Sequence, residues 1–384
     1  MNSLRSDDKG SIISKILYTI TLLAIIARRY AIFIIRDGIV PSTFMSALFY
    51  GSFVLLLLQF AIQKSHNKTE IIIFLATMML YLLTREGSIL MIVLLAIAIK
   101  NIEDDYVVKS YIILNLIFIV GSIIIGNLMP HIAPIPEAHY RIVEGELVSR
   151  EAFGFANPNS PFWFTLAIYA GYIFLRFDDY NKYDRILLIF TTIFIYYFTK
   201  SRTGAIAIFG ALVFVELLKK IDLKDNILLT KGLKLIPFIF LVSSLLVGTV
   251  FAKVSSLNSL MASRPRHWNA YLVKNGNLLT LFGNKYSSEI KAAHPLDSSY
   301  VYMYAFLGLV SLIFFMYLLY KGLDLFIIND QKKYIAIVMM FLIYALAENI
   351  LLEVGYNFTI VLLIKHIIIN NKDNFTIFNS RRAG

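Results

Sequence analysis

Apolar residues in this chain come in blocks parted by short polar links, not in the alternation of a half-buried strand. Blocks such as 52–62, 71–83 and 112–125 carry almost no charge, and the links between them gather Lys, Arg, Asp and Glu. A run of roughly 20 apolar residues suits a helix crossing the hydrocarbon core, and somewhat fewer suffice where the protein is thin. Read this way, the pattern predicts about twelve spans. They fall near 12–33, 43–63, 69–84, 86–100, 107–128, 159–177, 184–199, 201–218, 233–252, 299–320, 334–351 and 354–370. Each should be a helix, because in lipid every backbone N–H and C=O has to be satisfied within its own segment. The third and fourth, joined by Thr84-Arg85-Glu86-Gly87, are the shortest pair. The expected fold is therefore all-α and polytopic, with 1–384 a single integral membrane domain.

Composition agrees with the pattern. Of 384 residues 58% are hydrophobic and 16% charged, where a soluble domain carries about a quarter charged residues. The first block, 12–26, is followed by Arg28 and Arg29 instead of a small-residue cleavage site, so it reads as a retained span. There is no cysteine, which excludes disulfides, thiolate metal sites and thiol nucleophiles.

The net charge of +11 would suit a nucleic-acid partner, but the positions of the basic residues point to the membrane. Lys64/Lys68, Lys100/Lys109, Arg176/Lys182/Arg185, Lys219/Lys220/Lys224/Lys231/Lys234 and Lys321/Lys332/Lys333 occupy every second link, and the tail holds Lys372, Arg381 and Arg382. Basic residues hold links in the cytoplasm, so both termini are expected there. Two longer links, 129–159 and 253–298, then lie outside, and loops of this length in a compact protein are usually functional or disordered.

These two loops hold His131, His139, His267 and His294, together with Arg141, Arg150, Arg264 and Arg266. Arginine outside runs against the topology bias and needs a local cause. One cause is a surface lattice with Glu144, Glu146 and Glu151. The other is an anion site, since a guanidinium offers a planar fork of permanent donors that fits a phosphate or diphosphate. The turn Thr199-Lys200-Ser201-Arg202-Thr203-Gly204 adds Arg202 at a helix N-terminus, where free N–H groups also favour an anion; alone it reads equally as an interfacial anchor. At the end of the second loop His294 is placed to act as a general base near neutral pH. Asp297, three residues on, either orients that imidazole, takes the base role itself, or simply caps the next helix. Acidic pairs able to hold a divalent cation (Asp7-Asp8, Asp104-Asp105, Asp178-Asp179) all fall on the expected cytoplasmic side, and no Walker or Rossmann glycine pattern is present.

Arg150 followed by Gly154-Phe155-Ala156-Asn157-Pro158-Asn159 resembles the Arg…Gly-Phe-x-x-Pro-Asn stretch of capsular and O-antigen repeat-unit polymerases. Arg264-x-x-x-Trp268 followed by Leu281-Phe282-Gly283, the Ser201-Arg202-Thr203-Gly204 turn and the late His294 are similar in order to the O-antigen polymerase and O-antigen ligase superfamily. The resemblance covers roughly 140–315. In place of the Asn that many relatives carry after the late His, this chain has Asp297-Ser298, and Arg264-Pro265-Arg266 offers two arginines for one. The resemblance implies a metal-independent C-type glycosyltransferase fold in the bacterial cytoplasmic membrane, with no cofactor and an active site on the outer face. It implies lipid-linked oligosaccharide on undecaprenyl diphosphate as donor, and a second lipid-linked unit as acceptor. Membrane lipid, and a chain-length regulator and flippase of the same pathway, would be partners. By the same resemblance, Arg150, Asn157, Asn159, Arg202 and Arg264 or Arg266 bind the diphosphate substrate, and His294 with Asp297 is catalytic. A ligase of the same superfamily and a lipid-linked oligosaccharide flippase are the competing expectations; a flippase would keep its basic residues within the spans.

Overall fold

The computed structural model describes residues 2–36, 38–63, 65–134, 140–143, 146–223, 226–276, 280–370 and 374–375. His139, Glu144, Lys64, Lys224, Lys372, Arg381 and Arg382 lie outside them, as do the side chains of Arg141 and Glu146. The described chain is helical: α1 Asn2–Ile34, α2 Ser42–Ile62, α3 Lys68–Thr84, α4 Ser88–Ala98, α5 Asp104–Leu128, α6 Ser160–Arg176, α7 Lys182–Thr199, α8 Arg202–Lys220 and α9 Ile227–Thr249. Then come the short α10 Ser255–Leu260, α11 Arg264–Asn269, α12 Ser288–Ala293 and α13 Ser299–Tyr302, and the longer α14 Gly308–Ile328, α15 Lys332–Tyr344 and α16 Phe358–Asn370. Among the described residues, strands are confined to β1 His66–Asn67, which pairs antiparallel with β4 Asn374–Phe375, and a hairpin of β2 Tyr140–Val143 and β3 Glu146–Ser149.

This is an all-α membrane protein. Among the described residues five segments, Ile12–Ile34, Ser42–Ile62, Asp104–Leu128, Ile227–Thr249 and Ser299–Ile328, are long and apolar enough to cross a bilayer, and Ser88–Ala98 and Phe358–Asn370 are shorter apolar helices. That is fewer than the twelve expected, because several helices are short or carry charge at their ends. The long helices expose large apolar side chains such as Val54, Leu58, Ile117, Ile239 and Val242. So much open apolar surface is at home only against lipid. The short helices do the reverse. In α4 every residue from Ile89 to Ala98 is buried, and α15 and α16 are buried on nearly all sides. A helix apolar all round belongs in an interior. α15 packs against α6 and α8, and α16 against α4 and α14.

The two ends of the bundle differ. One, the basic end, ties buried carboxylates to cations: Glu70 meets His66 and Lys100, and Asp104 meets Lys365 and His366. The other, the loop end, carries both long loops. There the central elements stop short. α15 ends at Tyr344 and not at 351 as the span pattern predicted, and 345–357 runs as turns to the start of α16. Irregular backbone at this depth is tolerated because it is buried in protein: Ser299 Oγ accepts from the N–H groups of Ile350 and Leu351 at 2.9 and 3.0 Å and donates to Glu348 O at 2.8 Å. Arg29, roughly 7–8 Å below the end of α1 at 1.5 Å per residue, pairs with Glu353 of this segment. The centre of the loop end is thus closed by buried turns and not by helix ends.

Candidate functional site

The first loop is seated on the bundle by its glycine. Gly154 has φ +82°, and a Cβ there would fall 1.9 Å from Ser122 O of α5, so only glycine lets the loop lie this close. That contact sets Arg150 over the end of α7. Its Nε donates to Thr199 O at 2.8 Å and its Nη2 to Asn159 Oδ1 at 2.9 Å. Asn157 Oδ1 in turn accepts from Asn159 N at 2.8 Å, which folds Asn157-Pro158-Asn159 into the turn that starts α6. Three of the residues singled out in sequence therefore form one bonded group.

The turn after α7 continues it. Lys200 takes a left-handed conformation (φ 51°), Ser201 N donates to Thr199 Oγ1 at 3.2 Å, and α8 begins with Arg202 exposed. Gly204 lets α8 close on α6, since a Cβ there would sit 2.6 Å from the Phe162 ring. Thr203 faces inward and accepts from Arg264 Nη1 at 2.7 Å.

Arg264 is the centre of the network. Asn258 prepares α11 by accepting from Arg266 N at 3.2 Å, while Ala262 and Ser263 turn left-handed just before it. Besides Thr203, Arg264 binds Asp297 Oδ2 through Nε at 3.0 Å and Glu348 Oε1 through Nη2 at 3.1 Å. All three guanidinium nitrogens are used, and only 8% of Arg264 and 2% of Glu348 are exposed. A buried charge without a partner is costly, so the carboxylates hold Arg264 as much as it holds them. The two arginines offered by Arg264-Pro265-Arg266 are thereby separated: Arg264 is a buried clamp, and Arg266 is exposed.

Asp297 thus lies on Arg264, and a second histidine takes the place beside His294. His267 Nδ1 and His294 Nδ1 are 3.2 Å apart, and Tyr271 Oη donates to His294 O at 2.6 Å. Two such nitrogens share one proton. Burial, and then the neighbouring His294, lower the pKa of His267. Which ring donates and which accepts across this contact is set by the tautomers of the two imidazoles. Around these groups Ser160, Ser201 and Ser298 Oγ and Tyr344 Oη are buried without a protein hydrogen-bond partner.

No family model, curated protein or solved structure matches the chain.

Sequence reasoning identified Arg150, Asn157, Asn159, Arg202, Arg264, Arg266, His294 and Asp297, and the fold links Arg150, Asn157, Asn159, Arg264 and Asp297 through the 199–203 turn. Neither Glu348 nor His267 was among them. A signal for Glu348 was present: an ionisable residue inside a predicted span marks function by default. Among the described residues no group of three or more His, Asp or Glu is placed to hold a metal.

Proposed function

We propose that this protein is a membrane glycosyltransferase that polymerises lipid diphosphate-linked oligosaccharide units on the outer face of the cytoplasmic membrane. In this reading the bundle crosses the bilayer about twelve times in a C-type glycosyltransferase-like arrangement, with the loop end outside and both termini inside. The observation that carries it is that the 199–203 turn takes a hydrogen bond from Arg150 at Thr199 and one from Arg264 at Thr203, with the exposed Arg202 and Arg266 and the His267–His294 pair beside them. Chemistry on a lipid diphosphate needs cations for the leaving group and a base for the acceptor.

Arg202 and Arg266 are the exposed guanidiniums of this group and take the diphosphate. Arg150 and Arg264 are already bonded, and they hold the turn and α11 in register while adding positive potential. The acceptor hydroxyl attacks the anomeric carbon of the donor sugar. Its proton passes to His294 Nε2, the new C–O bond forms, and the bond to the diphosphate breaks with the electron pair leaving on phosphate oxygen. With Nε2 as the acceptor, His294 Nδ1–H donates to His267, which keeps the ring oriented as it takes charge. Fixing both lipids at one site replaces a bimolecular encounter with a local one.

Glycan extension tests this reading. Purified protein in nanodiscs, given lipid diphosphate-linked repeat units with EDTA present, should yield a ladder. The ladder should fall by roughly a hundredfold or more in His294→Ala, as for loss of a general base. Units that bind but stay one repeat long would sink polymerisation and turn attention to ligase acceptors.

A further inference from the structure

A second polar cluster adjoins the arginine network and shares its supports. Arg29 of α1 is 3.1 Å from Glu353, with its guanidinium 4.8 Å from the Phe33 ring. Arg28 lies 4.9 Å over the Phe49 ring of α2, its Nε buried without a hydrogen-bond partner. Glu86, in the turn between α3 and α4, accepts from Tyr302 Oη at 3.4 Å, and burial pushes its carboxyl up from the usual range. Phe306 stacks on Tyr302 at 4.9 Å and meets Lys291 of the second loop at 5.5 Å.

The two clusters are built from the same two strips of chain. Segment 345–357 gives Glu348 to Arg264 and Glu353 to Arg29. Segment 297–302 gives Asp297 to Arg264 and Tyr302 to Glu86. The clusters are therefore neighbours held at a fixed offset. Arg28 packs against α2, whose Tyr50 and Val54 are 62% and 53% exposed, whereas Glu86, Tyr302 and Glu353 are half-buried beside the arginine network. Arg28 has an aromatic face over its guanidinium and, among the described residues, no carboxylate within ion-pair distance, Glu353 acting on it only from further off; a half-buried cation in an apolar helix is costly unless an anion joins it. Carboxylates and a phenol nearby are acceptors for hydroxyl groups.

We infer that this cluster is a second site for a prenyl diphosphate-linked glycan, with Arg28 on the diphosphate and Glu86, Glu353 and Tyr302 on sugar hydroxyls. It rests on the proposed polymerase reading, which needs two lipid diphosphates side by side, and supplies the acceptor's place. The lipid tail stays in the outer leaflet beside α1 and α2 while the sugar reaches the His294 base.

The probe is farnesyl diphosphate, counted by native mass spectrometry on the full chain in phosphatidylcholine nanodiscs. The wild type should bind two equivalents and Arg28→Gln one. Arg28→Lys should keep two, the second several-fold weaker. An Arg202→Gln/Arg266→Gln double variant should lose the other equivalent. One equivalent on the wild type overturns the inference, and that count needs no variant to fold. So does an Arg28→Gln protein that elutes as the wild type and still binds two. Displacement of the second equivalent by an equal amount of phosphatidylglycerol also overturns it, by making Arg28 a contact for bulk lipid. A ladder from a protein that binds one equivalent would keep the polymerase reading and sink this site; two equivalents without a ladder would do the reverse.

Discussion

At the scale of single residues the decisive group is Arg264, bonded to Thr203, Asp297 and Glu348 together. Removing it leaves the buried Glu348 without its cation and near the partly exposed Asp297, and breaking a buried pair costs about 3–5 kcal/mol. Arg264→Gln should therefore lower the melting temperature and abolish extension. Adding Glu348→Gln should restore much of the stability without restoring activity, which thermal unfolding in detergent would read. Stability equal to the single variant would show that the two side chains are not coupled. His267 gives a pH prediction. Its folded pKa lies below the ordinary imidazole value, so between the two the unfolded chain binds more protons and stability rises with pH. Stability is then full above about pH 6.5 and falls as pH drops toward the folded value. Melting curves from pH 7.5 to 5.5 should show that fall, and His267→Asn should flatten it. The arginines and histidines were legible as residue types in the wrong place for a topology bias. Their partners were not, since Thr203, Asp297 and Glu348 lie far from Arg264 in the chain and carry no local pattern.

Among elements, the turn between α7 and α8 positions the site, and Gly204 fixes how near α8 comes to α6. A methyl group there would meet the Phe162 ring. Overpacking of this kind costs about 1–3 kcal/mol. Gly204→Ala should accordingly weaken folding and, by moving Thr203 and Arg202 together, reduce extension more than its stability loss explains. Activity and melting temperature measured on the same preparation would separate the two effects. Unchanged activity would mean that this turn does not set the site. Most helices were readable from apolar blocks, because a span needs only length and hydropathy. The exception is instructive: 345–351 is as apolar as a helix but turns instead, since Ser299 and the packing around it satisfy its backbone.

For the whole molecule the open question is sidedness, and the absence of native cysteine makes it easy to ask. Single cysteines at Ala293, exposed at the loop end, and at Lys220, exposed at the basic end, give a clean pair. In intact cells a membrane-impermeant maleimide should label Ala293→Cys and spare Lys220→Cys until the membrane is opened. The opposite result would invert the orientation and with it the outer-face site. The basic end has its own logic, with Asp104 and Glu70 each held by a lysine and a histidine.

Hydropathy alone determined that this is a helical membrane protein, because burying a polar backbone in lipid leaves few alternatives. Charge placement alone marked the two long loops as sites of unusual arginine and histidine. The tertiary structure decided which helices are buried and which face outward, that 345–357 closes the loop end as turns, and that Arg264 is a clamp while Arg266 is exposed. It also decided that His294 is backed by His267 and not by Asp297. These are matters of which distant side chains meet, and that is set by packing of short buried helices against long ones, for which no local sequence signal exists.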